Sequence, residues 1–164
     1  DQGISFGENG VAGKVCLYEP SVTAPLIIAG PGLPENRIIS ERVYLQDVYP
    51  TLLDMLGIQI SDNIDFKSLI PLIEGKDELW SSIYLAMLDA QRGIIDNDKK
   101  LILYPKSGDI ELYNLSKDEW EMNNLIEREG KRKDISQLLH KLMIWQKRVD
   151  DTLDITDDFV YLDV

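Results

Sequence analysis

The residues able to do chemistry cluster near the start of the chain. Asp1, Gln2, Glu8, Asn9, Lys14, Cys16 and Glu19 lie among Gly3, Gly7, Gly10 and Gly13. Gly13-Lys14 invites a phosphate-cradling loop, in which backbone N–H groups and a lysine grip an anion. That motif needs glycine at position 8 and Ser or Thr at 15; Glu8 and Val15 stand there instead. Cys16 is the single cysteine, so no internal disulfide or cysteine-rich zinc site can form. It has no nearby His or Arg to activate a thiolate and reads as a buried, inert thiol. His140 is the single histidine, which excludes a multi-histidine metal site within the chain; it lies off the apolar stripe of its helix and reads as solvated. Asn114-Leu115-Ser116 fits a glycosylation acceptor, a pattern short enough to recur by chance. Composition alone makes Asp1 an ordinary turn acid and Lys14 a solvated loop lysine.

Charge narrows the choice of ligand. Seventeen Lys plus Arg against 29 Asp plus Glu leave −12 over 164 residues, which argues against a general nucleic-acid binder. An anionic substrate then requires one locally positive pocket. With 44% hydrophobic residues the chain reads as globular. Its longest apolar stretch, Ala24 to Ala29, falls far short of the roughly 20 residues of a membrane span. The polar, glycine-rich opening, without methionine or leader, reads as the interior of a longer protein.

Residues 1–23 read as a loop with short turns. Pro25 to Ala29, stopped by Gly30-Pro31-Gly32, suits an inner strand buried on both faces of a parallel sheet. Asp47 can cap a helix with Pro50 in its first turn, apolar Val48, Leu52, Leu53 and Leu56, and Gly57 as its stop. Strand, loop and helix look like the last unit of an α/β sheet. Past residue 76 the rhythm changes. Ser82–Leu88, Gln91–Ile95, Lys100–Tyr104 and Ile110–Leu115 are β-rich runs separated by turn residues, predicting a four-stranded antiparallel meander. A helix from Asp134, with Ile135, Leu138, Leu139, Leu142, Trp145 and Val149 as its stripe, would cover one face. The reading is therefore α+β: segment 1–76 with one strand and one helix, sheet-plus-helix 77–150, and an acidic 151–164 that is a tail or an added edge strand.

The wider string alters the reading of the loop. Asp1-Gln2-Gly3, Gly7-Glu8-Asn9-Gly10, Gly13-Lys14 and Tyr18-Glu19-Pro20-Ser21-Val22-Thr23-Ala24-Pro25-Leu26-Ile27 resemble the D-(H/N/Q)-G, G-E-H-G, G-K and Y-E-x-S-x-R-x-P-L-I series of sulfatases in the alkaline-phosphatase-like superfamily. Asp47-Val48-Tyr49-Pro50-Thr51-Leu52-Leu53-Asp54 is similar to the family's D-x-x-P-T-L-L-D helix, and Ser68-Leu69-Ile70-Pro71-Leu72 to its S-L-x-P-L. Glu111-Leu112-Tyr113-Asn114-Leu115, followed by Asn124-Leu125, resembles E-L-Y-D-L…N-L. The resemblance covers about residues 1–126.

What it implies is a C-terminal portion of a sulfatase with an α/β parent fold. Asp1 and Gln2 match ligands of a divalent ion, usually calcium, and both are hard oxygen donors suited to it. Lys14 matches the lysine that contacts the sulfate group. Glu19 matches a glutamate expected to play a supporting role. The family's formylglycine nucleophile, made from C/S-x-P-x-R, has no counterpart here and is expected in a missing N-terminal part of the same protein. Asn9 replaces the usual histidine and Thr23 the usual arginine, either of which could alter substrate choice. The implied partner is a sulfated small molecule or saccharide. Phosphodiester or phosphonate-ester hydrolysis on the same site, and a non-enzymatic binding module, are the alternatives.

Overall fold

The computed structural model describes residues 2–76, 79–126, 132–155 and 159. Of these, the residues within Asp1–Thr23 and Ser82–Val164 make one compact unit, and those within Ala24–Ser81 make the other. The division differs from a boundary at residue 76, because the glycine-rich loop packs with the later sheet.

The sheet unit contains β1 (Ser5–Phe6), β2 (Ala12–Gly13) and the single-turn α1 (Glu19–Val22). The helix unit has α2 (Val48–Met55) and the single-turn α3 (Ile70–Ile73). Then come β3 (Ile83–Met87), β4 (Gln91–Asp96), β5 (Lys99–Tyr104), β6 (Asp109–Asn114) and α4 (Arg132–Arg148), again in the sheet unit. β3 to β6 form the expected antiparallel meander in sequential order. Asn97, with φ 51°, and Gly108, with φ 74°, take left-handed turn conformations that their types tolerate.

Alternate residues of a strand share a face. Register therefore puts Tyr84, Ile94, Leu101 and Leu112 in one row, and Leu85, Gly93, Ile102 and Glu111 in the next row on the opposite face. α4 covers the first face: its Ile135, Leu138, Leu139 and Leu142 are buried, the Trp145 indole N–H donates to Ser82 Oγ at 2.7 Å, and its ring stacks on Tyr84. Val149, expected on the stripe, lies just past the helix and is exposed. After α4 the chain returns to the sheet, where Arg92 donates to Asp151 Oδ2 through Nε at 2.5 Å and to Oδ1 through Nη2 at 3.0 Å. Ile155 and Phe159 are buried. Residues 156–158 and 160–164, where a tail or edge strand was expected, lie outside the described residues.

In the helix unit, α2 forms where expected and Gly57, at φ 66°, ends it. Asp47 stands at its N-cap position without capping it. The carboxylate turns instead to accept the Tyr44 N–H and Trp80 indole N–H at Oδ2, both at 2.8 Å, and the Lys67 N–H at Oδ1 at 2.9 Å. Thr51 Oγ1 donates to Asp47 O and accepts the Leu69 N–H, so α2 is fastened to the segment that leads into α3. Pro50 and Thr51 are the buried residues of α2, while Leu52 and Leu56 of the predicted stripe are exposed.

The expected inner strand at Pro25–Ala29 does not form a ladder. No described residue pairs with it, and Ile27 is 91% exposed. A parallel-type inner strand exists only between neighbours that supply its hydrogen bonds, and the described residues offer none.

Candidate active-site loop

Residues 2–23 are built as a hairpin followed by a tethered turn. β1 and β2 pair antiparallel with Ser5 opposite Gly13 and Phe6 opposite Ala12. Gly7, Gly10 and Gly13 have φ of 119°, 72° and 114°, backbone that the hairpin bend and exit need and that side chains resist. The Glu8 carboxylate accepts the Phe6 N–H at 2.5 Å, and Asn9 Nδ2 donates to Trp120 O at 3.2 Å. Lys14 lies one residue beyond the Ser5–Gly13 pair and Gln2 three residues before it, both outside the paired part of the hairpin. Gln2 is exposed and Lys14 half-buried; Asp1 lies outside the described residues.

Past Lys14 the chain dives onto the sheet. Cys16, Leu17 and Tyr18 are buried, with the Cys16 thiol 3.6 Å from Ser5 Oγ. Leu17 lies over Gly93, where a Cβ would meet Leu17 Cδ1 at 3.1 Å. Tyr18 OH donates to Glu111, with Oε2 at 2.8 Å, and Tyr104 OH donates to the same carboxylate at 3.1 Å. Burial and the adjoining Glu111 raise both phenols above their ordinary range, Tyr104 to about 12, so both stay protonated donors.

One step on, Lys100 Nζ donates to Glu19 Oε1 at 3.0 Å and sits 2.8 Å from Glu121 Oε1. Glu121 Oε2 accepts the Glu19 N–H at 2.6 Å. Both Lys100 and Glu121 side chains are 0% exposed. Burial raises the Glu121 carboxyl above its usual range, and Lys100 opposes that rise. The far end of α1 reaches back to the start of the loop: Gly3 N–H donates to Thr23 O at 3.0 Å, and a Cβ on Gly3 would lie 2.2 Å from Pro20 O.

Lys100, Glu121, Glu111 and Tyr104 were not legible as parts of this loop's support. Their signal is weak: a lysine in register with apolar strand positions, and a glutamate beside Trp120 with no periodic neighbour. Glu19, matched by its motif to a glutamate expected to play a supporting role, is bonded to Lys100, Thr23 and Glu121. For a divalent ion, the Gln2 amide offers an oxygen of the right kind. Among the described residues no group of three or more His, Cys, Asp or Glu could hold a metal. The fit is one of donor type, with most of the coordination left to other groups.

The family model described as N-sulphoglucosamine sulphohydrolase, C-terminal, matches residues 7–148, and the chain belongs to that family. A sulfatase of Formosa agariphila is 30% identical over 128 residues, 76% of this chain and 25% of its own length. Among solved structures, BT4656, in complex with its substrate D-glucosamine-2-N,6-O-disulfate, is 26% identical at a TM-score of 0.72, covering 92% of this chain and 33% of its own. The phosphonate monoester hydrolase of Silicibacter pomeroyi shares the fold at a TM-score of 0.76 and 18% identity, covering 94% of this chain and 34% of its own. The chain thus spans about a quarter to a third of these relatives. No helix among the described residues is long and apolar enough to cross a membrane.

Proposed function

We propose that this chain is the C-terminal part of a sulfuric-ester hydrolase acting on a sulfated saccharide, and that residues 1–23 contribute its share of the active site. The observation that carries the reading is the family match over residues 7–148, which takes in Lys14 and the sheet that supports it. BT4656, with its disulfated glucosamine substrate, supports the saccharide class.

In this reading the Lys14 ammonium lies against a sulfate oxygen. As the S–O bond to the sugar breaks, negative charge grows on the sulfate and the bridging oxygen, and a fixed cation stabilises that charge more than it stabilises the bound ester. Asp1 and Gln2 supply two oxygens to a divalent ion, calcium by donor type, whose remaining ligands come from the rest of the protein. When bound, such an ion polarises the ester and favours an anionic nucleophile. The nucleophile itself, a formylglycine in this family, belongs to the part of the protein outside this chain. Asn9 and Thr23, which replace the usual histidine and arginine, are the positions expected to tune the choice of sugar.

The test uses the full-length protein. Lys14→Ala is expected to lower kcat on a sulfate ester about 100- to 1,000-fold, roughly 3–4 kcal/mol. Full activity in that variant would remove the assignment. A phosphonate monoester offered to the same enzyme is expected to be the poorer substrate; the reverse order would move the reading to phosphonate-ester chemistry.

A further inference from the structure

We propose that Glu121 and Lys100 are positioning residues for the Asp1–Lys14 loop: they fix α1, and α1 fixes Gly3, the residue next to Gln2. The inference rests on the sulfate-ester reading of that loop and adds to it the means by which the loop is held.

The path is continuous. Glu121 holds the backbone of Glu19 through its N–H at 2.6 Å, and Lys100 holds the side chain of the same residue at 3.0 Å. The first residue of α1 is therefore gripped at two points from the sheet side. At the other end of α1, Thr23 Oγ1 donates to Glu19 Oε2 at 3.2 Å, and Thr23 O accepts the Gly3 N–H at 3.0 Å. Gly3 has no room to shift toward α1, because even a methyl there would meet Pro20 O at 2.2 Å. One peptide bond beyond Gly3 is Gln2, and Asp1 follows.

Stability alone does not account for these charges. Removing a lysine and a glutamate from water is costly, and an apolar pair of similar volume often serves a core as well. Glu121 also adopts a left-handed backbone, φ 56°, which residues other than glycine, Asn and Asp seldom take. A carboxylate offers what an apolar side chain cannot, namely a directed bond to one backbone N–H. Here that N–H belongs to the turn that carries Gly3. Groups that orient metal ligands without touching the ion typically change metal affinity or activity about 10- to 100-fold when removed.

The experiment compares Glu121→Ala with Leu142→Ala in the full-length protein. Leu142 is buried in α4 on the opposite sheet face, so its truncation lowers stability without touching the loop. Three quantities are measured: calcium affinity by titration calorimetry, hydrogen exchange of the Gly3 amide against those of Ile94 and Leu101, and kcat and KM on a sulfate ester. Glu121→Ala is expected to weaken calcium binding about 10-fold or more, speed exchange at Gly3 selectively and lower kcat. Leu142→Ala is expected to lower the melting temperature while leaving calcium affinity and Gly3 protection near wild type. Should Glu121→Ala not fold, Glu121→Met supplies the comparison, since it keeps much of the volume and removes both the acceptor for the Glu19 N–H and the pairing with Lys100. The proposal is overturned if Gly3 exchange and calcium affinity stay at wild-type values in the Glu121 variant. It is equally overturned if Leu142→Ala changes both as much. A wild-type protein with no sulfate-ester turnover and no calcium binding would instead remove the functional reading, and Gly3 exchange would still decide the positioning role.

Discussion

Arg92 and Asp151 carry the ion pair whose energetics are simplest to test. Their side chains are 7% and 14% exposed, and Tyr84 OH donates to the same carboxylate. The Arg92 guanidinium, joined by the Tyr84 hydroxyl and the Leu153 N–H, holds the Asp151 carboxyl well below the usual carboxylate range. An unfolded Asp titrates near about 3.9. A group whose pKa is depressed by folding contributes stability that is complete above that value and is lost as pH falls toward the folded one. Asp151→Asn is therefore expected to lower unfolding free energy by about 3 kcal/mol at pH 7, since it leaves Arg92 without its anion. In urea melts the gap between wild type and variant should be narrower at pH 3 than at pH 7; a gap that widens in acid would contradict the assignment. Residues of this kind were poorly legible beforehand. Arg92 and Asp151 are 59 positions apart, as Asp47 and Trp80 are 33 apart, and no local period connects them. Asp47 could be read from sequence as a cap because capping is local, and the long-range bonds that override it leave no trace in spacing.

At the scale of elements, the meander was readable because its strands are short runs of β-formers and its turns are short and polar. The stripe of α4 was readable from its helical spacing. What those runs did not reveal is that the second sheet face is covered too. Lys100, Ile102 and Tyr104 point toward the loop rather than toward water, and the Lys100 side chain is fully buried. Gly93 is where Leu17 of the loop lies over β4. A Cβ there would lie 3.1 Å from Leu17 Cδ1 and 3.3 Å from Leu101 O, and the backbone oxygen cannot give way easily. Gly93→Ala is expected to lower stability by about 1–3 kcal/mol, the usual cost of overpacking, and to show it as a lower midpoint in denaturant. An unchanged or raised midpoint would mean that the loop sits further from β4. Pro25–Ala29 was misread for the complementary reason. A continuous apolar run announces burial without saying which atoms supply it, and Leu26 and Ile27 are exposed here.

For the whole molecule, exposure is unevenly spread between the units. Ile27, Ile38 and Leu56 of the helix unit are 91%, 95% and 72% exposed, whereas the strands β4 and β5 are buried almost throughout. The amides of Leu26 to Ile28 in the chain as it stands are accordingly expected to exchange much faster than those of Ile94 and Leu101 to Leu103. Equal protection in a proven monomer would show that the run is paired after all. Apolar surface of this kind invites self-association at raised concentration, which the same measurement should be made dilute enough to avoid.

The loop and the sheet it rests on also impose an order in time. Tyr18 meets Glu111 across 93 residues, Glu19 meets Lys100 across 81, and Glu19 meets Glu121 across 102, with the whole helix unit lying between them in the chain. Hairpins such as β3–β4 close short loops and can form within microseconds, whereas contacts across such separations bear a far larger entropic cost of closure and come late. During synthesis the residues proposed to meet substrate leave the ribosome well before the platform that orders them. The loop is thus made before its platform and is among the last parts of this chain to acquire its shape.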